Sequence, residues 1–437
     1  MGEQRTGLNY GRHFTTEGRN VYDGFTYTKN DIAITDENGL VTFVQKDVEF
    51  PSKWSPLARK IVASKYFYGE KKTSEREVSL RDLVGRVSGY ISEWAERQNY
   101  FDSPEAVEAF RDELAYLHIS QRMAFNSPVW FNVGIHKIAG NGVDEQKLGF
   151  VVDESEEREV KRLPIGMDRF YPQTSACFIQ RVDDTMESIM QLAYNEAMLF
   201  KHGSGTGTNL SSLRSSREKL SGGGKPSGPL AYWAFYDKVA GIVKSGGKTR
   251  RAAKMDILNV DHPDIMEFLK SKQREEEKIH ILRKAGISVV EAQESVNYQN
   301  TNISIRVTDS FMEAVEMGEE WKTVPVHSKS MVDEMPVYDA RELMKAMAEG
   351  AHGCGDPGIQ FHDTINRWHT APNTAPIRAS NPCSEYMHVD DSSCNLASLN
   401  LMKFIESSVF KVEDFRNAVR TTAIAQDLEF DNSSYPT

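Results

Sequence analysis

Hydrophobic positions in the first 123 residues lie mostly at helical spacing. Short alternating pieces before residue 50 predict an N-terminal arm with a hairpin. Apolar residues three or four positions apart predict helices at about 54–68, 79–98 and 104–123. The pattern therefore predicts a small, mainly helical domain over residues 1–123.

From residue 124 onward, short apolar strands alternate with amphipathic helices. Strands are expected at 176–182 and at 303–307, where Ile303, Ile305 and Val307 alternate with polar residues. The helices predicted in this part are 186–200, 230–244 and 263–273. Asp184, three residues before Glu187, resembles a capping box for the first of them. Repeated strand–helix alternation predicts an α/β architecture with mainly parallel strands over residues 124–437.

Composition restricts the class of protein and its compartment. The chain has 437 residues, is 39% hydrophobic and carries a formal charge of −11, which disfavours nonspecific binding to nucleic acid or an anionic membrane. It contains no run of about 18 apolar residues, and its first residues lack the apolar core of a secretion signal. Four cysteines are too few for a disulfide-stapled secreted scaffold, so we expect a reducing cytoplasm.

Two glycine-containing segments are candidate ligand sites. HGSGTGTN at 202–209 either approaches a ligand closely or forms a helix cap and turn, and it fails the dinucleotide fingerprint at Thr208. The second segment, SGGKTRRAAKM at 245–255, contains most of a compact basic cluster. This cluster is interpreted either as a phosphate contact or as a solvated surface. The cluster comprises Lys244, Lys248, Arg250, Arg251 and Lys254.

The cysteines are the most informative residues. Cys177, Cys354, Cys383 and Cys394 include no Cys-x-x-Cys pair, and no tight metal-ligand spacing is present, so no metal site is predicted. Cys383 lies within Asn381-Pro382-Cys383-Ser384-Glu385. If this segment is extended, period-two alternation places an amide, a thiol and a carboxylate on one side, a set suited to acid–base chemistry. The alternative interpretation is a buried cysteine beside a surface glutamate.

Several motifs, taken together and in order, resemble one enzyme family. NPCSE at 381–385, followed by SSCNLASLNL at 392–401, resembles the finger-loop region of the catalytic subunit of ribonucleotide reductases. The stretches that look like the class II, adenosylcobalamin-dependent members are FNSPVWFNVG (125–134), QTSACFIQ (173–180), GSGTGTNLSSLR (203–214), KSGGKTRRAAKM (244–255), QNTNISIRVTDSFM (299–312) and GDPGIQF (355–361). The resemblance covers nearly the whole chain.

The resemblance implies a fold and an activity. The fold would be a ten-stranded α/β barrel of two five-stranded halves, of which residues 124–437 hold the first part, with the finger loop around 381–385 at its centre. The activity would be reduction of ribonucleotides, in diphosphate form, to 2′-deoxyribonucleotides that supply DNA synthesis. Adenosylcobalamin would be the cofactor that generates the radical.

The resemblance also implies a role for each motif residue. Cys383 would carry the thiyl radical that abstracts the ribose 3′ hydrogen, Glu385 would take the 3′-hydroxyl proton, and Asn381 would hold ribose hydroxyls. Cys177 and Cys394 would supply two electrons and end as a disulfide.

Binding residues follow from the same comparison of motifs. The substrate contacts would be Ser127, Ala176, Cys177, Gly205, Asn381, Cys383 and Glu385. At Ala176 the contact could be made only through the backbone, because the side chain has no polar atom. Asp184 would contact the specificity effector, a deoxynucleotide or ATP, and Cys354 is read as structural.

Family members are normally much longer, so we expect this chain to be incomplete as a catalyst and to need a complementary C-terminal chain. The other implied partners are a thioredoxin- or glutaredoxin-like reductant and a second copy, paired through the helices at 184–201 and 230–244. Two alternatives stay open. One is a class I-type subunit that uses a separate metal-radical subunit, and the other is an inactive nucleotide-binding subunit of a split reductase.

Overall fold

The computed structural model describes residues 7–35, 39–71, 73–138, 149–152, 159–164, 167, 170–220, 222–243, 252–327 and 329–436. Two compact units contain them: Met1–Ala176 with Asn395–Thr437, and Cys177–Cys394. The domain boundary predicted between residues 123 and 124 stays a prediction.

Helices occur in both units. Those in the described residues are α1 (Pro56–Ile61), α2 (Leu80–Arg97), α3 (Pro104–Ile119), α4 (Ser127–Asn132), α5 (Met186–Lys201), α6 (Pro229–Ile242), α7 (Ile265–Lys284), α8 (Val289–Ser295), α9 (Asp309–Met317), α10 (Ala340–Cys354), α11 (His362–Arg367) and α12 (Val412–Asp431). A single π-helical turn, Val62–Tyr66, continues α1, so the predicted helix at 54–68 forms in two pieces.

Strands are short outside the N-terminal hairpin. Those in the described residues are β1 (Tyr27–Thr35), β2 (Val41–Pro51), β3 (Met123–Phe125), β4 (Phe150–Val152), β5 (Val160–Arg162), β6 (Cys177–Gln180), β7 (Gly205–Asn209), β8 (Lys254–Asn259), β9 (Asn302–Val307), β10 (Glu320–Lys322), β11 (Val337–Asp339), β12 (Gly358–Phe361), β13 (Ala379–Ser380), β14 (Met387–His388), β15 (Ser392–Cys394), β16 (Ala397–Leu399), β17 (Ile405–Glu406) and β18 (Val409–Phe410).

The first unit contains the predicted hairpin and helices. Strands β1 and β2 pair in antiparallel fashion, and α2 begins with a capping box in which the Ser79 backbone N–H donates to Asp82. Helices α2, α3 and α12 contribute to one hydrophobic core, which includes the fully buried Trp94 and Phe110. The predicted helix at 104–123 is shorter in the structure, because Gln121 adopts a positive φ of 58° beyond the end of α3.

The second unit is built on a six-stranded sheet with strand order β12-β9-β8-β7-β6-β15. The first five strands in that order run parallel, and β15 runs antiparallel to β6. This arrangement confirms the predicted α/β architecture with mainly parallel strands. One face of the sheet packs on helices through Leu258, Ile303, Ile305 and Val307, which share a core with Phe268 of α7.

The opposite face of the sheet carries a small hairpin, β13–β14, whose strands pair in antiparallel fashion. Ala379 of this hairpin belongs to a separate buried cluster with Ile179, Met255 and Ile257. Since side chains alternate along a strand, one face of the sheet can serve the helical core while the other holds the hairpin.

A buried charge cluster lies on the helix face of the sheet. The Lys254 ammonium contacts the carboxylates of Glu196 and Asp256, and all three side chains are fully buried. Thr206 donates a hydrogen bond to Glu196 at 3.2 Å, and Thr301 donates one to Asp256 at 2.7 Å. Both earlier interpretations of the basic cluster are therefore wrong at Lys254. The other four cationic residues, at 244, 248, 250 and 251, lie outside the described residues.

Burial raises the pKa of Glu196 to about 7, although the charge of Lys254 opposes the shift. The carboxyl then holds its proton more tightly in the folded chain than in the unfolded chain. Its contribution to stability is complete below the unfolded pKa of about 4.5 and is lost as the pH rises through about 7.

We therefore expect Glu196→Gln to flatten the pH dependence of the free energy of unfolding between about pH 4.5 and pH 7, the unfolded and folded pKa values of this carboxyl. Denaturant titrations across this range measure the slope. Some slope remains, because burial also raises the pKa of Asp256. Glu187→Gln, an exposed position in the first turn of α5, is the matched control and should keep the original slope. Equal slopes in the two variants would contradict the assignment.

Candidate active site

The segment that contains Cys383 is a tight turn between β13 and β14. The Asn381 backbone N–H donates to the Tyr386 carbonyl at 3.1 Å, and the Ser384 N–H donates to the Asn381 carbonyl at 3.1 Å. The Asn381 side-chain oxygen accepts from the Tyr386 N–H at 3.0 Å. The segment is therefore not extended, and the condition for placing the three groups on one side is not met, because local hydrogen bonds from an asparagine compete with a regular strand.

The three predicted catalytic residues of the turn differ in their burial. Asn381 is completely buried, whereas Cys383 and Glu385 are exposed on the described chain. The Asn381 amide points inward and donates to the Cys177 sulfur at 3.5 Å. The alternative interpretation, a buried Cys383, is excluded.

Cys177 and Cys394 lie directly opposite each other on neighbouring antiparallel strands, β6 and β15. Directly opposite residues on antiparallel strands have α-carbons about 4.5–5.5 Å apart, and a disulfide needs α-carbons about 4.4–6.8 Å apart. Both residues are thiols in the structure. The strand register thus places two thiols where they can be oxidised to a disulfide with little movement of the backbone.

The two thiols differ in acidity because one donates to the other. The hydrogen bond from Cys394 lowers the pKa of Cys177, against the effect of burial, and the Asn381 amide lowers it further. The same thiol–thiol bond, together with burial, raises the pKa of Cys394. The negative charge of Glu385 raises the pKa of both thiols. Cys177 is therefore the first of the two to become a thiolate, the form that attacks in thiol–disulfide exchange.

The glycine-rich segment forms the strand beneath the hairpin. A β-carbon at Gly207 would lie 1.7 Å from the Ser380 carbonyl oxygen, and one at Gly205 would lie 2.7 Å from Pro382. Only Gly203, with φ of 94°, serves the turn after α5. The helix-cap interpretation is therefore wrong for Gly205 and Gly207, which allow the Pro382 ring and the Ser380 backbone to approach the strand.

Amide side chains on the sheet donate to the hairpin, and the sequence analysis did not single them out. Asn209 donates to the Arg378 carbonyl at 2.9 Å, and Asn302 donates to the Pro382 carbonyl at 3.0 Å. Gln360 of β12 donates to the hydroxyls of Ser380 and Ser384. The signal was present in β9, where Asn302 alternates with the apolar residues that identified the strand.

Two predicted substrate contacts belong to the unit Met1–Ala176 with Asn395–Thr437. Ser127 is the first residue of α4, and its hydroxyl lies 3.1 Å from that of Tyr66. Ala176 is half-buried and immediately precedes β6. Their contacts with substrate stay predictions.

Asp184 does not cap α5. Thr185 is the N-cap, and its hydroxyl accepts from the Ser188 N–H, so the predicted capping box is wrong. Asp184 instead accepts a hydrogen bond from Arg214 and lies 3.0 Å from the Nε2 atom of His327. Its side chain is nearly buried, and its contact with an effector stays a prediction.

Cys354 lies at the end of α10, where its thiol donates to the carbonyls of Gly350 and Asp356 at 3.4 and 3.5 Å. These local contacts give it no part in the Cys177–Cys394 pair. In the described ranges, no three His, Cys, Asp or Glu side chains converge as a metal site would require. Among the described helices, none is both long enough and apolar enough to span a membrane.

Two family models and several known proteins match the sequence of this chain. The family model described as "Ribonucleotide reductase, barrel domain" matches residues 175–437, and the one described as "Class II vitamin B12-dependent ribonucleotide reductase" matches residues 28–121. A vitamin B12-dependent ribonucleotide reductase of Rhodopirellula baltica is 51% identical over 439 residues. One from Streptomyces coelicolor is 44% identical over 440 residues.

Each of these two alignments covers 99% of this chain and 42% of the relative. A vitamin B12-dependent ribonucleoside-diphosphate reductase of Mycobacterium tuberculosis is 34% identical over 263 residues, which cover 60% of this chain and 34% of that protein. The chain thus spans less than half the length of the relatives it matches.

Proposed function

We propose that this chain, which belongs to the ribonucleotide reductase family, carries the thiol chemistry that reduces ribonucleotides to 2′-deoxyribonucleotides. The observation that carries the proposal is the cross-strand pair Cys177 and Cys394, with the Asn381 amide on the Cys177 sulfur. The thiol pair, which can give two electrons, thus contacts the base of the hairpin that carries the Cys383 thiol and the Glu385 carboxylate. The reaction requires these three components: a source of two electrons, a thiol and an acid–base group.

In the proposed reaction, Cys383 as a thiyl radical takes the hydrogen atom from the ribose 3′ carbon, and Glu385 takes the 3′-hydroxyl proton. The C2′–O bond breaks and the oxygen leaves as water. The Cys177 and Cys394 thiols give two electrons and two protons and become a disulfide, while a hydrogen replaces the 2′-hydroxyl. Cys383 finally returns its hydrogen atom to the 3′ carbon, and Glu385 returns the proton to the 3′ oxygen, so the sugar is complete and the thiyl radical is restored.

Adenosylcobalamin is the cofactor we propose, since the matched family model and the relatives carry vitamin B12 in their names. When bound, it supplies a carbon radical by homolysis of its cobalt–carbon bond. Removing a hydrogen atom from a thiol requires direct approach to the sulfur, and the exposed Cys383 fits that requirement. Cys383 is the residue of this chain that would face the cofactor.

We propose that the parallel strands of the second unit form one half of a ten-stranded barrel. Strands β6, β7, β8, β9 and β12 are parallel and lie side by side in chain order. Five strands are the number expected in one half of such a barrel. Strand β12 lies at the edge of the described sheet, and its Ile359 and Phe361 are partly exposed. An exposed apolar edge strand of this kind is suited to pairing or packing with further structure.

The proposal extends to partners and substrate. Diphosphates are the proposed substrates, because the Mycobacterium relative is named a ribonucleoside-diphosphate reductase. Pairing of two copies through α5 and α6 is supported by exposed apolar side chains on both helices, namely Met186, Met190, Tyr194 and Phe235. The thioredoxin-type reductant, the nucleotide effector at Asp184, the complementary chain and the cytoplasmic location stay predictions.

A single-turnover experiment tests the function. The complete protein that contains this sequence is reduced, freed of reductant and supplied with adenosylcobalamin and a ribonucleoside diphosphate. We expect about one deoxynucleotide per active site and a Cys177–Cys394 disulfide, because the two thiols are the electron source. Mass spectrometry of a non-reduced digest identifies the disulfide, with Cys354 as the internal control that stays a thiol.

Omitting adenosylcobalamin should abolish the product, whereas activity that instead requires an iron or manganese partner would favour the class I alternative. Product formed while Cys177 and Cys394 both remain thiols would overturn the proposed electron source. A protein that binds nucleotide but forms no product under any of these conditions would favour the inactive-subunit alternative.

A further inference from the structure

A buried polar chain connects the sheet to the Cys383 hairpin. It begins at Arg306 of β9, passes through Gln360 of β12 and ends on the hydroxyls of Ser380 and Ser384. Arg306 and Gln360 are each only 2% exposed, and Ser380 is completely buried. Arg306 and Gln360 are opposite residues in the parallel register of β9 and β12, so their side chains leave the sheet on the same face.

The direction of each hydrogen bond follows from the chemistry of the groups. A guanidinium can only donate, so the Gln360 carbonyl oxygen must face Arg306, and the distance between them is 3.0 Å. The Gln360 amide nitrogen then faces the two serines and donates to both, at 2.8 Å to Ser380 and 3.1 Å to Ser384. The Ser380 hydroxyl in turn donates a hydrogen bond to the Asn381 carbonyl at 2.9 Å.

The same guanidinium also holds the chain that leads into the hairpin. Arg306 donates through a second nitrogen to the Ile377 carbonyl at 2.6 Å. Asn366 of α11 bonds both polar atoms of the Ile377 backbone, at 2.9 and 3.1 Å. Ile377, two residues before β13, is therefore fixed to β9 and α11. Gln360 connects this anchored region to the turn itself.

The turn needs such a link because its conformation is unfavourable for an ordinary residue. Ser384, between Cys383 and Glu385, has φ of 63°, in the left-handed region that favours glycine. A residue persists in this region when its surroundings over-determine it. Gln360 supplies that constraint by bonding one hydroxyl before the turn and one within it.

We propose that Gln360, oriented by Arg306, is a positioning residue that fixes the turn on which Cys383 and Glu385 are presented. Its side chain is buried beneath the hairpin and bonds Ser380 and Ser384, so it acts through the turn and leaves the chemistry to the neighbouring thiol and carboxylate. The inference rests on the proposed function for its consequence in catalysis, whereas its consequence for the hairpin is independent of that function.

Gln360→Met tests the proposal, because methionine has nearly the same length and lacks the amide. In the complete protein, we expect kcat to fall about 10- to 100-fold with KM within about twofold, the size expected when reacting groups are misplaced by about 1 Å. Hydrogen exchange of a peptide that spans 379–388 should become at least about 10-fold faster. Gln273→Met, at an exposed position of α7, is the matched control and should change neither quantity.

Ser384 provides a second test that does not alter the buried core. Ser384→Ala removes the hydroxyl and keeps the unfavourable φ, whereas Ser384→Gly removes the hydroxyl and makes that φ acceptable. We expect Ser384→Ala to lower kcat by about 3- to 10-fold and to speed exchange, and Ser384→Gly to recover part of both losses. This rescue distinguishes positioning of the turn from a general loss of stability.

Unchanged hydrogen exchange in the Gln360 variant would overturn the inference, whatever the activity. Should Gln360→Met fail to fold, the Ser384 pair decides, and identical behaviour of its two variants would overturn the inference. If the unaltered protein has no reductase activity, the proposed function fails, and the exchange measurements still determine whether Gln360 holds the turn.

Discussion

Cys383→Ser is expected to abolish reduction of ribonucleotides. The O–H bond of serine is much stronger than the S–H bond of cysteine, so the hydroxyl cannot take the place of a thiol that must exchange a hydrogen atom with the sugar. We expect product formation to fall more than about 10³-fold, which corresponds to about 4 kcal/mol or more of added barrier. The measurement is deoxynucleotide formation in the complete protein, with adenosylcobalamin and excess dithiol.

The variant should keep its fold and its affinity for nucleotide, because Cys383 is exposed and serine has nearly the same shape. Thermal unfolding and equilibrium binding of a ribonucleoside diphosphate check this. Cys354→Ser is the matched control, since the Cys354 thiol donates to nearby carbonyls of its own segment and is not part of the proposed chemistry. Reduction that survives Cys383→Ser would remove the central residue of the proposed mechanism.

Gly207→Ala is expected to have the second large effect. The added methyl group would lie 1.7 Å from the Ser380 carbonyl oxygen, so the hairpin or the strand must move. Overpacking of a close-packed interior costs about 1–3 kcal/mol. A shift of the hairpin by about 1 Å can lower kcat about 10²-fold. We therefore expect a lower unfolding temperature together with a loss of activity of at least about 100-fold, measured on the same preparation.

The matched control is Gly353→Ala, in the last turns of α10, where the added methyl group would meet no atom within 4 Å beyond its chain neighbours and the adjacent backbone of its own helix. Alanine is a better helix former than glycine, so this substitution should leave activity unchanged and raise stability by about 0.5–1 kcal/mol. If Gly207→Ala behaves like Gly353→Ala, the hairpin does not rest on β7 as the structure has it.

Several features of the fold could be predicted from one-dimensional patterns. The long helices α2, α3 and α5 and the strand β9 follow from hydrophobic periodicity, because one face of each element is buried. Boundaries were less reliable: α7 extends to Lys284 rather than 273, since its charged last turns contribute few buried residues to the pattern. The glycine-rich strand β7 was missed, since a strand without side chains on one face has no alternation to detect.

At the candidate site, the sequence identified the chemistry and the structure determined the geometry. Cys177, Cys394, Asn381, Cys383 and Glu385 were named from their motifs, and the strand register and the Asn381–Cys177 contact bring the first three together. The period of a strand does not apply to 381–385, because local hydrogen bonds close this segment into a turn.

The sequence by itself determined which residues are present and in what order, and the ordered motifs alone were sufficient to indicate the family. Only the tertiary structure decided how those residues meet. The pairing of β6 with β15, the contact of Lys254 with Glu196 and the bond from Gln360 to Ser384 each join positions that are more than 20 residues apart along the chain. Such contacts depend on strand register and close packing, which bring distant segments together and cannot be inferred from local spacing.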